Sequence, residues 1–370
     1  MTRGGVLLRF IAALAAAVLV VRAAAAQDYP SRAITLVVPF AVGSGIDPTA
    51  RIIGDELSRA LKQPVVLDHK PGANGAIAAS AVARAAPDGY TIFMTTVSTH
   101  SANPNLLKSI PYDPLQDFAA LSRVGNLPFM LIIDPKIGAT SVPEFIAYVK
   151  ANPGKLSYAS TNAIGLVAGA TLKRMAGLDL VHVPYRSSPQ AINDVMTGRL
   201  AMMFVDFVLG SPQAKAGNVR ALAVTTKERS VLLPDIPSMT EAGLPSFDLI
   251  PWNAIFAPAN TPKPIVLRLN AELRRIIADP TVKDRLAGIG FDAFASTPEE
   301  LEMFVREDLA NWSKWVRASS RNRGAGSGGN AAGDRVDTPA TSYMTPGAAG
   351  PDGSRAQHSN VMDLCKLSLS

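Results

Sequence analysis

Cysteine is almost absent: Cys365 is the only one in a chain of 370 residues. A lone thiol closes no disulfide, so the fold must be held by its apolar core. The same scarcity removes a cysteine nucleophile from everything before Cys365. Histidine is also sparse. His69, His100, His182 and His358 form no H-x-x-x-H or H-x-H pair, which leaves no spacing for a metal set. No G-x-S-x-G nucleophile elbow, P-loop or G-x-G-x-x-G occurs, and Gly43-Ser44-Gly45 fits none of them. The body carries no basic run interleaved with aromatics, so nucleic acid finds no footprint.

The two ends stand apart from the body. Arg3 and Arg9 precede the apolar run Ile11 to Val21, and Ala24-Ala25-Ala26 supplies small residues after it. This predicts a Sec-type signal peptide over residues 1–26, cleaved between Ala26 and Gln27. The run falls short of the roughly 20 residues that span a bilayer. No cysteine follows it to take a lipid. Losing Arg3, Arg9 and Arg22 takes the formal charge from +6 to +3. Beyond Arg317 helical periodicity vanishes and Gly, Ala, Ser, Pro and Arg dominate. Residues 318–370 read as a disordered or out-of-frame tail, because such a composition buries too little apolar surface to order itself.

Between the ends, Ile34-Thr35-Leu36-Val37-Val38 reads as a buried strand, stopped by Pro39. Gly43-Ser44-Gly45 then turns the chain into a helix that starts near Asp47-Pro48. This geometry points free backbone N–H groups and the positive end of a helix dipole at a crevice, which suits a carboxylate. It also fits a tight βα turn in which Asp47 only caps the helix. The sequence continues as β-α-β-α-β through Val65-Val66-Leu67 and Thr91-Ile92-Phe93-Met94, a doubly wound pattern whose ligands lie beyond the carboxyl ends of the strands. Leu121 to Ile133 reads as an extended apolar crossing, broken by Gly125 and Pro128. A second α/β series follows, with strands at Leu156–Ala159, Val181–Val183, Met202–Val205 and Val219–Val224, and a helix capped by Ser188. Three helices close the body. At ~100–200 residues per domain, two α/β domains are expected.

The strand ends collect neutral polar groups. They are Gly43, Ser44 and Gly45; Thr95, Thr96 and Ser98; Tyr158, Ser160, Thr161 and Asn162; Tyr185; and Asp206. Such donors hold a small anion without transforming it. Each of them also has a bland reading as a helix cap or a satisfied loop residue. Asp206 either caps a segment entered at Ser211 or accepts a hydrogen bond from a ligand hydroxyl, ammonium or bridging water. Tyr185 either packs or offers a donor to a cleft. Arg186, a lone cation beside these loops, reads equally as a ligand group or a solvated surface charge.

Motifs in order along the chain carry a resemblance. They include Tyr29-Pro30-Ser31-Arg32, Val38-Pro39-Phe40 with Gly43, Gly45 and Asp47, and Lys70-Pro71-Gly72-Ala73-Asn74-Gly75. Pro87-Asp88-Gly89-Tyr90-Thr91 and Tyr112-Asp113-Pro114 follow, then Val183-Pro184-Tyr185, Leu233-Pro234-Asp235-Ile236-Pro237 and Glu241-Ala242-Gly243-Leu244-Pro245. From Gln27 to Val316 the chain resembles the Bug family, the extracytoplasmic receptors of tripartite tricarboxylate transporters. The resemblance implies a periplasmic, two-lobed Venus-flytrap fold of the α/β class, each lobe a mostly parallel sheet flanked by helices. It implies a monomer without cofactor or catalysis that closes on a small carboxylate, dicarboxylate, acidic amino acid or related organic acid and passes it to membrane permease subunits. Two other roles stay open: a sensory receptor feeding a membrane kinase, and a periplasmic enzyme on the same fold. Lobe 1 would comprise residues 27–123 and 234–317, and lobe 2 residues 124–233. Carried over by motif, the ligand-binding residues would be Phe40, Ala41, Gly43, Ser44, Gly45, Asp47, Thr95 and Ser98 in the first lobe. Those of the second would be Tyr158, Thr161, Asn162, Ile164, Tyr185 and Asp206. Here the chain departs from the family: Thr161-Asn162-Ala163-Ile164 replaces a longer Gly/Ser-rich pattern, and Ser187-Ser188 replaces a glycine.

Overall fold

The computed structural model describes residues 29–230, 232–245, 247, 249 and 251–321. The expected signal peptide and nearly all of the expected tail lie outside the described residues.

The chain builds two sheets and passes between them twice. β1 (Ile34–Val38), α1 (Ile46–Leu61), β2 (Val65–His69), α2 (Ala76–Ala83) and β3 (Thr91–Thr96) form the predicted βαβαβ series. A π-helical turn, Ser98–Ala102, and the one-turn α3 (Asn103–Leu106) follow, with no helical periodicity to announce them. β4 (Phe118–Asn126) ends the first passage through this sheet, and β5 (Phe129–Ile133) is already in the second, so the extended apolar segment is one strand in each sheet. The second series is α4 (Val142–Ala151), β6 (Leu156–Ser160), α5 (Ala163–Ala176), β7 (Leu180–Pro184), α6 (Ser188–Met196), β8 (Met202–Asp206), α7 (Phe207–Lys215) and β9 (Arg220–Val224). The chain then returns with β10 (Trp252–Pro258), α8 (Lys263–Ala278), α9 (Pro280–Gly288), β11 (Asp292–Ala293) and α10 (Pro298–Arg321). Backbone helix thus continues past the boundary expected at Arg317.

The first sheet has the order β11-β4-β10-β3-β1-β2 and the second β7-β6-β8-β5-β9. Both are mixed rather than mostly parallel. Pairings among β1, β2 and β3, and among β6, β7 and β8, are parallel. The strands that follow the crossings, β5 and β10, run the other way and pair antiparallel with both their neighbours, β8 and β9 for β5, and β3 and β4 for β10. Each of these two enters its sheet from the cleft side and so runs away from it, against strands whose carboxyl ends face the cleft.

Burial explains both layers. In α1, Ile46, Ala50, Ile53, Leu57 and Leu61 fall at helical spacing and are all buried, so the helix lays one stripe against β1, β2 and α8. The second core gathers Met130, Ile132, Ala159, Ile192, Val195, Met203 and Val205 from alternate strand positions and one face of α6. Leu232, Leu233 and Ile236 pack against it too, and Val224 N–H donates to Pro237 O (2.9 Å). The return crossing therefore lies at Pro251, later than the break that Pro234 suggests. The prolines there mark a turn within the second lobe. The two crossings run side by side, Leu127 N–H donating to Pro251 O (3.0 Å).

Candidate functional site

A cleft of about 600 Å³, counting its open mouth, lies between the sheets. Its walls come from the carboxyl ends of parallel strands, as the doubly wound pattern requires. From the first sheet come Phe40, Ala41, Ser44, Gly45 and Ile46 after β1 and Thr96 to Ser98 after β3. From the second come Thr161, Asn162 and Ile164 after β6, Arg186 to Pro189 after β7, and Asp206 at the end of β8. The crossings add Leu127, Phe129 and Pro251 to Asn253.

Each of these strand ends opens a helix, so five helix starts face one space: α1, the π-helical turn, α5, α6 and α7. Two are closed by their own side chains. Asn162 Oδ1 accepts the Gly165 N–H (2.9 Å), and Asp206 Oδ1 accepts the Leu209 N–H (3.1 Å). At Gly45, Val97 and Ser187 no side chain caps the helix. Asp47 N–H already donates to Ser44 O (3.0 Å) and Ser98 N–H to Thr96 Oγ1 (3.2 Å), and it is the dipoles at these three starts that favour an anion there. Ser44 Oγ and Asn253 Oδ1, both in the wall and buried, have no hydrogen-bond partner among the described residues. Asn253 is oriented by its Nδ2, which donates to Thr95 O (3.3 Å).

Asp206 is the one buried charge in this wall. Burial lifts its carboxyl from the ordinary carboxylate range to about 6. It caps a helix that begins at Phe207, earlier than the Ser211 expected. Ser188 does not cap α6 either. It starts that helix, and its hydroxyl pairs with Thr161 Oγ1 (2.9 Å), tying two wall loops together.

Of the residues singled out in the sequence, Phe40, Ala41, Ser44, Gly45, Ser98, Thr161, Asn162, Ile164 and Asp206 line the cleft. Gly43, Asp47, Thr95, Tyr158 and Tyr185 do not, each for a local reason. Gly43 sits in the left-handed region at φ 78° and its N–H donates to Asp47 Oδ2 (2.9 Å). Asp47 lies behind the loop, with His69 Nε2 2.9 Å from its Oδ1 and Arg51 beside it. Burial alone would raise its carboxyl, but Gly43 N–H, His69 and Arg51 together hold it below the usual range. Thr95 is fully buried beneath the cleft, its hydroxyl 2.8 Å from His100 Nδ1. Burial drops His100 to about 3, so this ring is neutral, packed against Phe118 and Phe256. The Tyr158 ring turns into the second lobe, against His182 and into space left by Gly169, where a Cβ would stand 2.1 Å from Tyr158 Cε2. Tyr185 donates its hydroxyl to Asp194 Oδ2 (2.6 Å). Leu127, Phe129, Trp252 and Asn253 were missed, although Pro128 and Pro251 beside them mark both crossings.

A family model described as the tripartite tricarboxylate transporter family receptor matches residues 49–320. The chain belongs to this family. It is 33% identical over 296 residues to Protein BugT of Bordetella pertussis (strain Tohama I), covering 79% of this chain and 90% of that protein. Among solved structures, R. palustris Rpa4515 with adipate is similar at a TM-score of 0.76 and 32% identity, covering 79% of this chain and 98% of that one. The periplasmic binding protein BugD is similar at 0.75 and 32%, with the same coverage. The fold of this receptor is thus the two-lobed α/β fold of the family, and its cleft lies between the lobes. Among the described residues no helix is long and apolar enough to cross a membrane, and no group of His, Cys, Asp and Glu is placed to hold a metal ion.

Proposed function

We propose that the protein is exported to the periplasm and captures a small carboxylate between its lobes, for delivery to the membrane subunits of a tripartite tricarboxylate-type transporter. The observation that carries this reading is the convergence of helix starts from both sheets on one cleft, three of them without a side-chain cap. Neutral donors with dipoles behind them hold a carboxylate and release it unchanged. The adipate on Rpa4515, a dicarboxylate on a relative of the same fold, supports the ligand class.

In this reading Ser44, Gly45 and Ser98 face the ligand from the first lobe, and Thr161 and Asn162 from the second. Asp206 accepts from a ligand hydroxyl or ammonium, or from a bridging water. Ligand binding draws the lobes together about the crossings at Leu127 and Pro251, a hinge closure of the kind two-lobed receptors use. The protein acts as a monomer.

Native mass spectrometry of protein purified without denaturation reads its oligomeric state and any acid it carries. A thermal-shift screen of organic acids then tests the class. An acid at about 100 times its dissociation constant stabilises the fold by about 2.7 kcal/mol. Stabilisation by one or more carboxylates is expected, and a flat response across mono-, di- and tricarboxylates and acidic amino acids rules the reading out.

A further inference from the structure

Two residues of the cleft wall carry charged side chains, and they differ in setting. Asp206 is buried and bonded into a helix start, whereas Arg186 is exposed. Arg186 forms no salt bridge with a carboxylate of the described residues. Its backbone is nevertheless fixed on both sides. Before it, Tyr185 N–H donates to Ser160 O (2.8 Å) and the Tyr185 hydroxyl to Asp194. After it, Ser188 is tied to Thr161.

The guanidinium therefore swings from an anchored base at the rim of a cleft whose other donors are neutral. Neutral donors at helix starts suffice for one carboxylate, and they gain little from a second negative charge further out. A guanidinium matches a carboxylate in a planar, two-bonded geometry and is weakly hydrated, so it tolerates the partial desolvation that closure brings. We propose that Arg186 recognises a second carboxylate of the ligand, so that the protein selects dicarboxylates over monocarboxylates of the same chain length. This rests on the carboxylate reading above and names the residue that narrows it.

Calorimetric titration tests it with matched probes, succinate, glutarate and adipate against butyrate, pentanoate and hexanoate, on the wild-type protein, Arg186→Gln and Arg186→Lys. Melting curves without ligand check that the variants are folded. The wild type is expected to bind at least one dicarboxylate more tightly than its matched monocarboxylate. In Arg186→Gln that dicarboxylate weakens by about tenfold, the scale of one charge-assisted hydrogen bond, while any measurable monocarboxylate affinity stays within about twofold. Arg186→Lys, which keeps the charge without the fork, is expected to fall between. Equal binding of matched mono- and dicarboxylates by the wild type overturns the role of Arg186 and leaves the carboxylate reading standing. So does a folded Arg186→Gln variant that binds the dicarboxylate as well as the wild type, or that loses both probes alike. If no acid of either series binds, this inference falls together with the carboxylate reading when the wider acid screen is also flat, and alone when that screen finds a ligand.

Discussion

Gly45 of the first lobe faces Asp206 of the second so closely that a Cβ on Gly45 would stand 2.1 Å from the Asp206 Cγ. Gly45 itself has ordinary right-handed backbone angles, φ −58° and ψ −27°, which any residue adopts. Its lack of a side chain is therefore needed for space between the lobes and not for the turn. Gly43, two residues earlier, is the reverse case, with φ 78° and only the Pro189 Cγ, 3.9 Å away, near its Cβ direction.

Gly45→Ala leaves the backbone unstrained, so each lobe should stay folded, and any loss of stability should come from the methyl of this buried residue meeting Asp206. The added methyl must push Asp206 away, so closure is hindered. We expect carboxylate affinity to fall by about tenfold or more, the equivalent of about 1.4 kcal/mol. Titration calorimetry beside a melting curve reads both. An unchanged affinity would show that the lobes do not meet at this point in the bound form.

Gly43→Ala should show the opposite pattern. An alanine in the left-handed region costs about 1–2 kcal/mol, while the open space around it admits a methyl. The melting temperature should drop and the affinity change less than in Gly45→Ala. If the two variants behave alike, the division between backbone need and lobe clearance is mistaken.

Asp206→Asn keeps the helix cap, since an asparagine oxygen also accepts the Leu209 N–H. It removes a buried charge. Because the folded-state carboxyl titrates at about 6 and the unfolded one at its ordinary 3.8, the folded protein holds the extra proton between these values. Stability of the wild type thus falls as pH rises through that window and is flat above it. The variant escapes this loss. Its advantage should be near zero below the window and reach at most about 3 kcal/mol above it. Melting temperatures of both proteins near the two ends of the window decide the matter. An equal gain at both ends would mean that the ionisation of Asp206 plays no part.

The first half of the cleft was legible because its signals are local. A β-branched run, a proline stop and two glycines within a few residues leave the chain few options after Val38. Tyr158 and Tyr185 misled because a polar residue near a strand end says nothing about the face it takes. Tyr158 lies in the middle of β6, where alternation sends it to Gly169, and Tyr185 finds an acceptor in Asp194 on the next helix. Asn253 was out of reach for another reason. It meets Thr96 through an antiparallel register between β10 and β3, a pairing of residues far apart in sequence that no local pattern encodes. The Pro234 break misled in the same way, because only the packing of Leu232, Leu233 and Ile236 shows which core it serves.

Asp47 separates a positioning residue from one that touches ligand. Its side chain is 6% exposed and does not line the cleft, yet its carboxylate accepts the Gly43 N–H and faces His69 and Arg51. Asp47→Asn removes the charge that these groups gather around and should cost about 1–3 kcal/mol, the range for buried hydrogen bonds to a charged group. The folded carboxyl is held below its usual value, so its contribution is complete above the ordinary carboxylate range and is lost as pH falls through the folded value. The deficit of Asp47→Asn should therefore be full at neutral pH and shrink in acid, opposite in sense to the behaviour of Asp206→Asn. Carboxylate affinity should fall as well, through a loosened loop at Ser44 and Gly45, and fall alike for every acid that binds. A loss confined to acids bearing one particular substituent would instead place Asp47 against the ligand.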